Sequence, residues 1–123
     1  MYVKKDNWSA ETCWGEAWTG DDAGSFEPPS AKLPLTIFIN QDMDLLASYR
    51  DTLIAKKIAE TTILQRINKY TTHVAFHLYQ IYLKKKEIES QSGAGVEAPV
   101  EEQMRDEIQR VARTLLKLME VSQ

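Results

Sequence analysis

A mainly α protein is what this sequence predicts, on three observations. No Gly or Pro interrupts residues 41–91, and apolar residues recur there at spacings of three and four. A second run of the same period fills residues 100–121. Between them, residues 90–99 hold two Gly, two Ser and one Pro, the composition of a linker. The expected architecture is a long helix, continuous or broken once, an antiparallel C-terminal helix, an extended N-terminal arm and one short strand. The arm takes residues 1–33 and the helical domain residues 34–123.

The arm is polar and acidic, and Gly20, Gly24, Pro28 and Pro29 punctuate it too often for a long helix or strand. It nevertheless carries all three tryptophans, Trp8, Trp14 and Trp18. Indoles are costly to leave in water and tend to anchor interfaces. Trp14 and Trp18 are four apart and would share one face of a short helix over residues 9–19, with Ser9 as its N-cap. The three indoles are expected to dock on a partner or a neighbouring subunit. The alternative is that they pack back on the chain's own helices.

Residues 33–39, Leu-Pro-Leu-Thr-Ile-Phe-Ile, alternate Leu33, Leu35, Ile37 and Ile39 on one side with Thr36 and Phe38 on the other. That is the period of a strand. Pro34 argues against a central position, and a lone strand needs a companion. A second copy would supply it, making Ile37 and Phe38 contact residues. Without one, the segment is an apolar connector lying on the helices.

Asn40 then reads as a helix N-cap, with Asp42 and Asp44 in the first turn. Leu46, Tyr49, Leu53, Ile63, Ile67, Tyr70, Val74, Leu78 and Ile81 form the apolar stripe. A helix continuous through Lys86 would have about 45 residues and be nearly 70 Å long. The β-branched runs at Thr61–Ile63 and around Asn68–Thr72 are its weak points, giving otherwise two helices of about 25 and 18 residues. In the last helix, Met104, Ile108, Val111, Leu115 and Leu118 or Met119 line one face. Glu101, Glu102 and Asp106 sit at its start, where the helix dipole favours them.

A chain of 123 residues with 43% hydrophobic content fits one domain. Cys13 is its only cysteine, so no internal disulfide forms and a reducing compartment is expected. The N-terminus lacks the apolar core of a signal peptide, and no run approaches 18 apolar residues. The expected location is the cytoplasm, or a virion assembled inside a cell.

The charge is sorted into three blocks. Residues 1–49 carry three Lys against eight Asp and Glu. Residues 50–86 carry eight Lys and Arg against two acids, and residues 87–123 carry four against eight. A basic helical middle between acidic ends points to contact with itself, a sister subunit or a polyanion.

Few constellations suggest chemistry. His73 and His77 stand four apart on one helix face, but Val74 replaces the Glu of a zincin motif, and spacing supplies no further ligands. The carboxylates of Glu101, Glu102, Asp106 and Glu107 resemble the acidic helices of all-α nucleotide pyrophosphohydrolases. Those need a matching set on a second helix, where the basic stretch offers only Glu60. No metal, cofactor or enzymatic activity is expected. Lys84, Lys85 and Lys86 follow Tyr79 and Tyr82 and, with Arg66 and Lys69, form a candidate polyanion-binding surface. The lysine run equally suits a helix C-terminus.

The order of a short alternating strand, an Asn-capped helix and a second helix near Thr71 resembles ribbon-helix-helix repressors over about 50 residues. That resemblance implies a strand paired with its copy in a dimer, and Thr36 and Phe38 facing DNA bases. The favoured expectation is different: a non-enzymatic assembly or interaction subunit. It would be a homo-oligomer or a small accessory subunit of a larger complex, such as a phage or virion component, with coiled-coil or bundle helices.

Overall fold

The computed structural model describes residues 1–8, 12–90 and 100–121. The expected cap Ser9 and most of the expected linker, residues 91–99, lie outside the described residues. Three helices carry the fold: α1 (Asp44–Ala55), α2 (Glu60–Ser90) and α3 (Glu101–Val121). They enclose two small sheets. The larger has the strand order β1-β5-β4, from β1 (Tyr2–Val3), β4 (Gly24–Glu27) and β5 (Thr36–Asn40). The smaller is a hairpin of β2 (Thr12–Cys13) and β3 (Glu16–Ala17). The fold is therefore helix-rich with a real β component.

The first 33 residues are not an extended arm. They supply four of the five strands, and Val3, Cys13, Trp14, Trp18, Ala23 and Phe26 belong to the same buried core as the helices. The expected helix over residues 9–19 is also replaced. Its described part is the β2–β3 hairpin, in which Thr12 pairs with Ala17 and Cys13 with Glu16. Trp14 and Gly15 form the two-residue turn, with φ of 57° and 83°. Positive φ at both positions is the twist that matches a tight hairpin, and Gly15 adopts it freely. Trp14 adopts it at a steric cost that its burial offsets.

The strand at residues 36–40 exists, but its position differs from expectation. β5 is central, parallel to β1 on one edge and antiparallel to β4 on the other. Pro34 does not prevent this because it precedes the first paired residue. The register sets Gly24 against Ile39 and Phe26 against Ile37, on the face covered by α2. Ser25 and Phe38 share the opposite face, and both are buried. Phe38 thus points into this chain's own interior. Both edges of β5 are filled from the same chain, unlike the two-chain ribbon that the repressor resemblance implies.

The helical run breaks once, earlier than either weak point. Lys57 has φ of 58°, Lys57 N–H donates to Ile54 O at 2.9 Å, and Ile58 N–H donates to Leu53 O at 3.1 Å. Those two bonds around a left-handed residue make a Schellman stop. It yields helices of 12 and 31 residues. Asn68 and the threonines after it run through α2 without a break. Asn40 is not the cap of α1 but the buried last residue of β5. Met43 holds the cap position, and Gly20 O accepts the Asp44 N–H at 2.8 Å.

α3 packs with Met104, Ile108, Ala112 and Leu116 innermost. Val111, Leu115 and Met119 flank that line, and Leu118 faces out. The expected face steps by four and three and stays nearly straight, whereas the buried line steps by four and winds 40° per step around a 3.6-residue helix, so Val111, Leu115 and Met119 pack at its edge and Leu118 falls outside it.

Candidate interaction surface

One polar network fixes the N-terminal third to α3. Asp22 is fully buried, and Arg105 donates to both its oxygens at 2.6 Å, Nε to Oδ1 and Nη2 to Oδ2. Gln109 Nε2 donates to the same carboxylate at 3.1 Å, as do the Thr19 backbone N–H at 2.8 Å and its hydroxyl at 3.1 Å. Arg105 also pairs with Glu16 and donates to Ala17 O. Burial pushes the Asp22 pKa up, but Arg105 and the Thr19 and Gln109 donors outweigh it and hold the group below its ordinary value. The hydrogen bonds that Arg105 donates to Asp22 raise its own pKa against the opposing cost of its burial. A planar fork matched to a carboxylate gives this pair its geometric specificity.

Asn40 extends the network. Its amide donates to Asp22 O at 2.7 Å and Thr19 O at 3.3 Å. Its oxygen accepts from Asp42 N–H at 3.0 Å and from Trp8 Nε1 at 3.3 Å. One side chain therefore fixes the 19–22 loop, the end of β5 and the first tryptophan.

These contacts place the tryptophans. Trp14 and Trp18 are only 7% and 4% exposed, so the two indoles expected to dock on a partner are packed inside their own chain. Trp14 Nε1 donates to Gly24 O at 3.1 Å, and its ring meets Phe26 edge-on at 4.8 Å. Trp18 Nε1 is buried with no hydrogen-bond partner among the described residues. Trp8 is half-buried, as is Ile37, while Phe38 is in the core. Cys13 is buried too, and desolvation, reinforced by Asp22, pushes its thiol up to about 12, which favours the protonated form.

Exposed apolar side chains occur at Met1, Tyr2, Leu33, Ile54 and Leu64, and the outer side of the α2–α3 pair adds a group of them beside a groove. Phe76 is 60% exposed and Leu118 63% exposed, and Tyr79 and Leu83 also face out from α2. A groove of about 380 Å³ lies between the two helices, lined by His73, Phe76, His77, Arg110, Val111, Thr114, Leu115 and Leu118. His77 Nε2 meets Glu107 Oε2 at 3.0 Å across the top of this groove. His73 is exposed. Among the described residues no group of three His, Cys, Asp or Glu is placed to hold a metal.

The candidate polyanion residues do not converge. Consecutive helical positions point 100° apart, so Lys84, Lys85 and Lys86 diverge around α2. Lys84 and Lys86 are exposed, while Lys85 is half-buried and stands 3.9 Å from Glu89. Lys69 is exposed three turns or more from that run. Arg66 is half-buried, with Nη1 lacking a hydrogen-bond partner among the described residues. On the other side of α3, Glu16, Asp21, Glu101, Glu102 and Asp106 line an acidic cleft of about 430 Å³ beside Arg105.

The apolar outer ridge of α2 was missed in the sequence because the stripe at residues 63–81 already accounted for one face. The signal was available: Phe76, Tyr79 and Leu83 recur at three and seven on the opposite side. No family model matches this chain, and no curated protein or solved structure is detectably similar to it.

Proposed function

We propose that this chain is a non-enzymatic interaction subunit that joins another protein surface through the outer face of α2 and α3. The observation that carries the reading is the apolar groove between α2 and α3, walled by exposed Phe76 and Leu118, with Tyr79 and Leu83 exposed further along the outer side of α2. Contiguous apolar surface of this kind, rimmed by charge, marks interaction sites on folded domains. Arg110 and His73 supply the polar rim. The tryptophans support the face from within: they hold the N-terminal strands onto the helices and do not themselves dock.

The test is the double variant Phe76→Glu with Leu118→Glu. Both positions are exposed, so the expected circular dichroism and melting temperature match the parent chain. Assembly, read as solution mass by light scattering and as retention of a bound partner, is expected to be lost. Unchanged assembly in a folded double variant overturns the reading.

A further inference from the structure

We infer that the surface seated on this face is a second copy of the same chain, with the two α2 helices antiparallel about a two-fold axis. This rests on the interaction-face reading and names its occupant. The observation is a charge pattern that is self-complementary only when one copy is inverted. Lys69 and Glu87 are eighteen residues apart, which is five full turns, so they stand on one line along α2. Phe76 and Leu83 fall seven and fourteen residues after Lys69, within about 40° of that line. The outer ridge of α2 therefore reads cation, aromatic, aliphatic, anion. Lys69 and Glu87 are both exposed, and neither makes an ion pair among the described residues.

The α2–α3 pair as a whole is charged at one end and balanced at the other. At the end formed by residues 60–73 and 110–120, five cations face two carboxylates, a net +3. At the other end Glu101, Glu102, Arg105 and Asp106 belong to the cleft on the far side of α3, which leaves Lys84, Lys85 and Lys86 against Glu87, Glu89 and Glu107. Parallel copies would set like ends together, whereas antiparallel copies set opposite ends together and bury the apolar middle.

The registers agree as well. A two-fold that pairs Lys69 with Glu87 of the second copy falls at residue 78. One that pairs Phe76 with Leu83 falls between residues 79 and 80, about 2 Å further along the axis at 1.5 Å per residue. Such a shift of the two-fold offsets Lys69 from Glu87 by twice as much, about 4.5 Å, which is within the reach of a lysine side chain. The ridge from Lys69 to Glu87 is about 27 Å long. Two helices wide, such a face has the scale of the roughly 800 Å² per partner that stable interfaces bury.

The experiment is sedimentation equilibrium on the full chain and on Phe76→Glu, Lys69→Glu, Glu87→Lys and the swap Lys69→Glu with Glu87→Lys. The parent is expected to be a dimer of 14.1 kDa subunits, and Phe76→Glu a folded monomer. Each two-fold contact occurs twice, so each single reversal is expected to weaken dimerisation at least about tenfold, and the swap to restore it. A monomer into the hundreds of micromolar overturns the inference. So does a dimer that the swap fails to restore, which means parallel or differently placed helices. If the parent is monomeric but Phe76→Glu with Leu118→Glu releases a bound heterologous protein, the second copy is excluded while the interaction face stands. A dimer indifferent to Phe76→Glu overturns both.

Discussion

Arg105 and Asp22 grip each other through two 2.6 Å hydrogen bonds across 83 residues of sequence. The pair joins the last helix to the loop between the two small sheets. Removing the carboxylate leaves Arg105 and the Thr19 and Gln109 donors without an acceptor; an asparagine keeps one acceptor oxygen but sets its amide against those donors, and an alanine leaves a cavity as well.

Asp22→Ala is accordingly expected to destabilise the chain by about 3 kcal/mol in urea unfolding, and Asp22→Asn by less. The same pair sets the acid limb. The folded-state pKa of Asp22 lies below its ordinary value, so its contribution is full above the ordinary carboxylate range, near pH 4, and is lost as pH falls through the folded pKa. Stability measured between pH 7 and pH 2 should drop at the acid end in the parent and drop less steeply in Asp22→Asn. Identical slopes would show that the pair carries no proton linkage.

The two buried indoles are expected to answer differently to phenylalanine. Trp14→Phe loses the bond to Gly24 O and should cost about 1–2 kcal/mol beyond the change of shape. Trp18→Phe removes an N–H with no partner and should cost less. Either tryptophan changed to Ala should cost about 3–5 kcal/mol, with the melting temperature of each variant as the measurement. A negligible effect would return the N-terminal segment to the status of a loose arm.

Gly24 faces the closest approach in the core. A Cβ there would lie 2.4 Å from Phe38 O and 3.0 Å from Leu78 Cδ1. Phe38 O belongs to the central strand and cannot swing aside. Gly24→Ala should therefore destabilise by about 1–3 kcal/mol in chemical denaturation, and an unchanged midpoint would refute the β4–β5 spacing.

Lys57 is the converse case. It holds the left-handed position of the Schellman stop, where glycine has no Cβ penalty. Lys57→Gly is expected to raise stability by about 0.5–1 kcal/mol, and Lys57→Val to lower it, both read from urea midpoints.

These residues also explain which parts of the fold were legible in the sequence. The apolar stripe at residues 46–81 and the strand at residues 36–40 were, because periods of 3.6 and 2 are local. The break at Lys57 was not, since a lysine in place of the usual glycine gives no punctuation. The N-terminal strands were not, since three of them are two residues long and β1 owes its order to β5, far along the chain. Trp14 and Trp18 announced burial correctly but not against which surface. Nothing local in the sequence marks Arg105 as the partner of Asp22, because the two stand 83 residues apart.

The reach of that Asp22–Arg105 contact has a consequence for biosynthesis. A ribosome adding about 5–20 residues per second takes roughly 4–17 s to pass from Asp22 to Arg105. For that interval the strand residues 24–40 and the indoles of Trp14 and Trp18 have no α3 to close over them. Nascent chains of this protein thus carry an exposed, β-prone, tryptophan-bearing segment until residues 101–121 have been added. The interval before α3 emerges is when chaperones have most to shield.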